Sequence, residues 1–121
     1  LTIPLKPDHL EAAYDCLRRM PPFDAWAGKL PEGELVEFRV TRSRDHFGWH
    51  QSFKKSHHLI AISSTNVGHL STLMHVMGHE MIHLYQSEFG HETKGAMHNA
   101  DFQRRQRQLC KVHGFDFGIL R

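Results

Sequence analysis

The sequence predicts an α+β fold in a single domain, residues 1–121, with an N-terminal helix, a small and mainly antiparallel sheet of about three strands, a long helix and a C-terminal helix. Three observations carry that expectation. Leu70, Leu73, Met74, Met77, Met81 and Leu84 recur at i, i+3, i+4, i+7, i+11 and i+14, which makes one apolar stripe at about 100° per residue. Residues 35–41 and 47–53 alternate along the chain, and Leu59 to Ile62 is a short apolar run, so all three have strand character. A chain of 121 residues with 40% hydrophobic content suffices for one modest core and has no composition break that would divide it.

Taken in order, Asp8 and Glu11 form a D-x-x-E capping pattern, and Leu10, Ala13, Tyr14 and Leu17 follow at helical spacing until Pro21-Pro22. Between Pro21 and Gly33 the prolines, glycines and two exposed-looking aromatics, Phe23 and Trp26, read as an irregular loop, with Trp26 expected as a satellite core contact. In the first strand Val36, Phe38 and Val40 alternate with Glu37, Arg39 and Thr41. In the second, Phe47, Trp49, Gln51 and Phe53 share one face. Lys54-Lys55-Ser56 reads as the hairpin turn into the third strand. Ser63, Ser64, Thr65 and Asn66 offer N-caps for the central helix. The last helix is expected from about Asn99 to His113, with Phe102 and Leu109 inside, Arg104, Arg107 and Lys111 outside, and Gly114 ending it. The tail, alternating at Phe115, Phe117 and Ile119, either adds an edge strand or packs back.

Chemistry concentrates in His79-Glu80-Met81-Ile82-His83. Two histidines four residues apart on a helix project from one face about one turn apart, which suits a divalent zinc ion, and the glutamate between them lies beside the metal rather than on it. Both histidines fall nearly opposite the apolar stripe, so one face of the helix is expected on the core and the other along a cleft. Zinc that does chemistry needs a third protein ligand and an open position. The metzincin spacing would require a histidine at position 89, which is Phe89. Downstream, His98 is the best candidate, because it opens the last helical pattern and precedes Phe102 by four residues. The ring of Phe102 can then anchor that helix while the imidazole points at the metal. His91, reachable if the chain reverses at Gly90, and Asp101, three residues past His98, are the alternatives.

These residues resemble a known family. His79-Glu80-Met81-Ile82-His83, fourteen further residues, then His98-Asn99-Ala100-Asp101-Phe102 is similar to the SprT-like metalloprotease domain, which includes the Spartan-type proteases. The resemblance covers about residues 57–112. It implies a minimal zincin-like fold whose C-terminal helix carries the third ligand, a Zn2+ ion held by His79, His83 and His98, and Glu80 as catalytic acid/base. It also implies hydrolysis of peptide bonds in DNA-associated or DNA-crosslinked proteins. Asn99 stands where the family pattern has glycine, whereas Asp101 and Phe102 fit. Many relatives also carry a zinc ribbon on four cysteines; this sequence has two cysteines and no C-x-x-C pair.

A net charge of +2 is compatible with nucleic acid nearby but does not argue for it. Cys16 and Cys110 are too few for a disulfide scaffold and are expected as free buried thiols in a reducing cytoplasm. No apolar run approaches the length of a membrane span. With 12 histidines most are not ligands, so His46, His50, His57, His58 and His113 read as surface or strand-end residues. His75, a turn before His79, reads as solvated or as acting through a ligand. Tyr85, His75 and His91 are unranked candidates for a second donor to a developing oxyanion. Arg104, Arg107 and Lys111, with Arg105 beside them, read as a solvated helix face. An exposed strand edge would let an extended peptide add to the sheet. The opposing reading, from another class, is a non-catalytic zinc-stabilised module that docks nucleic acid or a protein partner; an intact Glu80 speaks for the enzyme.

Overall fold

Helix α1, Pro7–Arg18, is the first element of the computed structural model, which describes residues 4–54 and 56–120. Its N-cap is Lys6 rather than Asp8. Proline at the first helical position suits the fixed φ of its ring, and the Lys6 N–H donates to His9 Nδ1 at 3.0 Å, so the D-x-x-E pattern goes unused as a cap. Leu10, Ala13, Tyr14 and Leu17 are buried as their spacing predicts. In the following loop Phe23 is buried, not exposed, because its ring packs edge-on against Trp26.

Strands β1 (Glu37–Thr41), β2 (Gly48–Phe53) and β3 (His57–Ser63) form one sheet in the order β1-β3-β2. β3 is central; it pairs parallel with β1 and antiparallel with β2, so the sheet is mixed rather than mainly antiparallel. The reason lies at the end of β3. The hydroxyls of Ser63, Ser64 and Thr65 donate to the carbonyls of Ser43, Thr41 and Arg42, and the Asn66 amide reaches those of Ser43, Arg44 and His46. These bonds carry segment 42–47 across β3 and place β2 on its far side. The same side chains are thereby unavailable as N-caps, and helix α2, Leu70–Phe89, starts at His69 with no side-chain cap. Of the expected hairpin turn, Lys55 lies outside the described residues.

Alternation places Phe38, Val40, Ile60 and Ile62 on the helix-covered face of the sheet, where Tyr14 of α1 meets Phe38 edge-on at 5.5 Å. Gly48, His50 and Ser52 share that face, so Trp49, Gln51 and Phe53 look the other way; Phe53 is 48% exposed. α2 departs further from expectation. Every residue from His75 to Gln86 is buried, because the helix is enclosed by the sheet, α1 and helix α3 (Ala100–His113) rather than having one open face. Leu70, counted in the apolar stripe, is 74% exposed, and the buried part of the stripe begins at Leu73. Gly90 and Gly114 end α2 and α3 in the left-handed conformation expected of such caps. The tail packs back through Phe115 and Leu120 and forms no strand among the described residues. Cys16 is exposed, against expectation, and Cys110 buried; both are free. No described helix is long and apolar enough to cross a membrane.

Candidate metal centre

The rings of His79, His83 and His98 form a triangle with centroids 5.1 Å apart on every side. One nitrogen from each lies within 4.8 Å of the others. Helical periodicity supplies the first two from α2. His98 does not sit on the C-terminal helix, as the sequence suggested, but two residues before α3, where Asn99 is the N-cap.

Several contacts hold that loop residue against α2. Phe102, fully buried, stacks on His83 and on His98 at 4.4 Å each and meets His79 edge-on at 5.0 Å, so one ring supports all three imidazoles. Gly78 lets α3 approach, since a Cβ there would lie 2.7 Å from Leu109 Cδ2. The buried Gln86 amide on α2 donates to Asn99 Oδ1 at 2.9 Å and to Asp101 Oδ2 at 3.0 Å. Asn99 Oδ1 also caps the Phe102 N–H, and its Nδ2 donates to His91 O and Thr93 Oγ1. Sequence reasoning treated Asn99 only as a departure from a family pattern and missed Gln86; the S/T/D/N preference at N-caps was the available signal for Asn99.

The chemistry of the three rings suits a divalent metal ion. Burial and then the neighbouring imidazoles lower the His79 pKa to about 2, and burial and then His98 lower that of His83 to about 4. Both therefore keep a lone pair at neutral pH, the form a metal requires. His79 Nδ1 is buried without a well-formed hydrogen bond, although the Leu120 backbone bears on the ring and works against the fall in its pKa. His79 and His83 are buried whereas His98 is exposed, so the centre opens on the His98 side. Glu80, between the two α2 histidines, is 5% exposed and has no hydrogen bond among the described residues. Burial pushes its carboxyl up to about 8; a divalent cation at the triad would draw it back down.

The alternatives to His98 are not in the triangle. Asp101 accepts from Arg105 at 2.9 Å, from Arg104 and from Gln86; burial works to raise its pKa, but these hydrogen bonds outweigh it and hold the carboxyl at about 2. His91 is exposed and stacks on Tyr85. Tyr85 itself donates its hydroxyl to Ala27 O at 2.6 Å and packs with Trp26 under the Arg105 guanidinium, which covers both rings, so its hydroxyl is engaged away from the triad. His75 is buried, not solvated, stacked on Phe115 and 3.6 Å from Cys110 Sγ, and so engages α3 and the tail. Arg105 is 7% exposed and leaves the solvated stripe to Arg104, Arg107 and Lys111. Trp26 is the expected satellite contact.

Two histidines read as surface or strand-end residues lie inside the fold or on a cavity. His58 is 1% exposed, and His50 lines a cavity of about 140 Å³ together with His83, Gln86 and Ser52. His50 Nε2 is 2.9 Å from His58 Nδ1, and His58 Nε2 is 2.8 Å from Glu88 Oε2. Period-2 alternation put His50 opposite Trp49 and Phe53, but only the β2–β3 register brings it to His58. A larger cavity, about 1250 Å³ between α1, the end of β1 and the start of α2, is lined by none of the three triad histidines. Convergent ligand chemistry, not volume, marks the candidate site. No protein-family model, curated protein or solved structure matches the chain.

Proposed function

We propose that the chain is a zinc-dependent endopeptidase of the SprT-like kind. The observation that carries this reading is the equilateral triangle of imidazoles, two buried on α2 and one exposed, which offers three ring nitrogens to one ion and leaves one side open. A zinc ion held by His79, His83 and His98 would polarise a peptide carbonyl and bring water to ionisation near neutral pH. The Glu80 carboxylate takes the proton of the attacking water and delivers it to the departing amine nitrogen. β2 is an edge strand whose His50 and Ser52 line the cavity shared with His83, so an extended peptide pairing with its free edge would be held on the His83 side of the triad. Proteins bound or crosslinked to DNA are the substrate class implied by the resemblance of residues 79–102 to the SprT-like domain.

Metal analysis of the purified protein should find one zinc per chain. Glu80→Gln should keep the zinc and the thermal midpoint but lower casein cleavage at least about a hundredfold, whereas His83→Ala should lose the zinc. A glutamine variant cleaving at the parent rate would overturn the mechanism. Bound zinc with no cleavage, with or without single- or double-stranded DNA, would identify a non-catalytic zinc module instead.

A further inference from the structure

We propose that His50 contacts the substrate directly, offering its Nδ1 as a fixed hydrogen-bond acceptor to a main-chain N–H of the bound peptide, and that His58 and Glu88 are positioning residues that set its tautomer. The substrate class rests on the peptidase reading above; the placement of the three side chains does not.

In the β2–β3 pairing Ser52 stands opposite His58 and His50 opposite Ile60, which makes His50 and His58 diagonal neighbours on the helix-covered face. Glu88, in the last turn of α2, meets the far nitrogen of His58. With one proton on each ring the chain has a single consistent assignment, because an ionised carboxylate can only accept. His58 Nε2 donates to Glu88 Oε2 at 2.8 Å, so His58 Nδ1 must accept. His50 Nε2 then donates to it at 2.9 Å, and His50 Nδ1 is left with its lone pair. No described residue hydrogen-bonds that nitrogen, and the residue borders the cavity shared with the metal-site ring of His83.

A role in packing alone would be met by an apolar side chain at position 50, without leaving a buried imidazole and a carboxylate that need partners. An edge strand that binds a peptide faces alternating N–H and C=O groups. An acceptor fixed beside the metal site selects the register in which an N–H falls there.

Nitrogen-15 NMR of the imidazoles tests this on the zinc-loaded Glu80→Gln protein, with no substitution at the three residues. The probe is an N-acetylated, C-amidated decapeptide of alanine and serine. We expect His50 Nδ1 to resonate as an unprotonated ring nitrogen and to shift when the peptide is added. The shift should vanish with a depsipeptide in which the contacting N–H is an ester oxygen. Glu88→Ala should mix the His50 tautomers while zinc content stays at the parent level. In the active protein His50→Leu should raise KM about tenfold with a smaller change in kcat, and His50→Asn, whose Oδ1 sits near the place of Nδ1, should recover most of the loss. A proton on His50 Nδ1 in the parent tautomer overturns the proposal, and so does a peptide that moves other cleft resonances but not His50. A protein that cleaves nothing yet shows the His50 shift sinks the peptidase reading and keeps this one. Cleavage with His50 unmoved does the reverse.

Discussion

Replacing Phe102 tests how the triad is held. Its fully buried ring is the common wall of three imidazoles, so Phe102→Ala both opens a cavity and removes their support. Such truncations cost about 3–5 kcal/mol, a large part of the roughly 5–15 kcal/mol that holds a domain together. Phe102→Leu is the sharper test, since it should cost only about 1–2 kcal/mol and stay folded. We expect its zinc affinity, read by competition with a chelating dye, to fall about tenfold or more; parent affinity in the leucine variant would show that the ring does not position the ligands. Asp101 gives a pH signature. Its folded pKa of about 2, set by hydrogen bonds from Arg105, Gln86 and Arg104 working against burial, lies below the unfolded value of about 3.9. A depressed carboxyl contributes stability that is present above the unfolded pKa and is lost as pH falls through the folded one. Asp101→Asn should therefore be less stable than the parent at pH 7, and the gap should close between about pH 4 and pH 2. Denaturation curves that stay parallel through that window would show that these contacts do not favour the ionised form.

At the scale of elements, α2 and α3 were legible because a 3.6-residue period survives in any environment, and Gly90 and Gly114 mark their ends through the left-handed backbone each adopts. Burial all around α2 was not legible, since hydrophobic period reports one face and α2 meets partners on several. Sheet order escaped for a related reason. β1 and β2 carry nothing that states a parallel or antiparallel partner; the hydrogen bonds from Ser63, Ser64 and Asn66 to carbonyls 20 to 23 residues away decide it. The third histidine was readable from His98 and Phe102, yet the Gln86, Asn99 and Asp101 network that fixes it was hidden in an interhelix contact. Asn99→Ala isolates that network. Losing the cap costs about 1 kcal/mol, which α3 should survive because Phe102 and Leu109 remain buried. The loop from His91 to His98, however, loses both of its Asn99 tethers. We expect circular dichroism close to that of the parent and zinc released to a chelator about tenfold faster; equal release rates would mean that the triangle assembles without the cap.

For the molecule as a whole, α2 is the shared wall between two unequal halves. On one side α1 and the sheet close over Leu10, Tyr14, Leu17, Ile60 and Ile62, all essentially inaccessible and independent of any metal. On the other, α3 and the loop before it reach α2 through Phe102, Leu109, the Gln86 network and the three imidazoles. An ion that binds only the folded state adds about 4 kcal/mol at a thousandfold excess over its Kd. For a chain of this length its removal should lower the thermal midpoint by at least about 10 °C. The loss should also be uneven. His79 and His83 stay uncharged near neutral pH, so chelation leaves no like-charge repulsion to burst the core. Hydrogen exchange after zinc removal should accordingly quicken in residues 91–113 while β3 and α1 keep their protection. Equal loss of protection in β3 and α3 would make the metal a part of the global core rather than a clasp on one side. An unchanged midpoint after verified removal would mean that the three rings converge without binding energy to give.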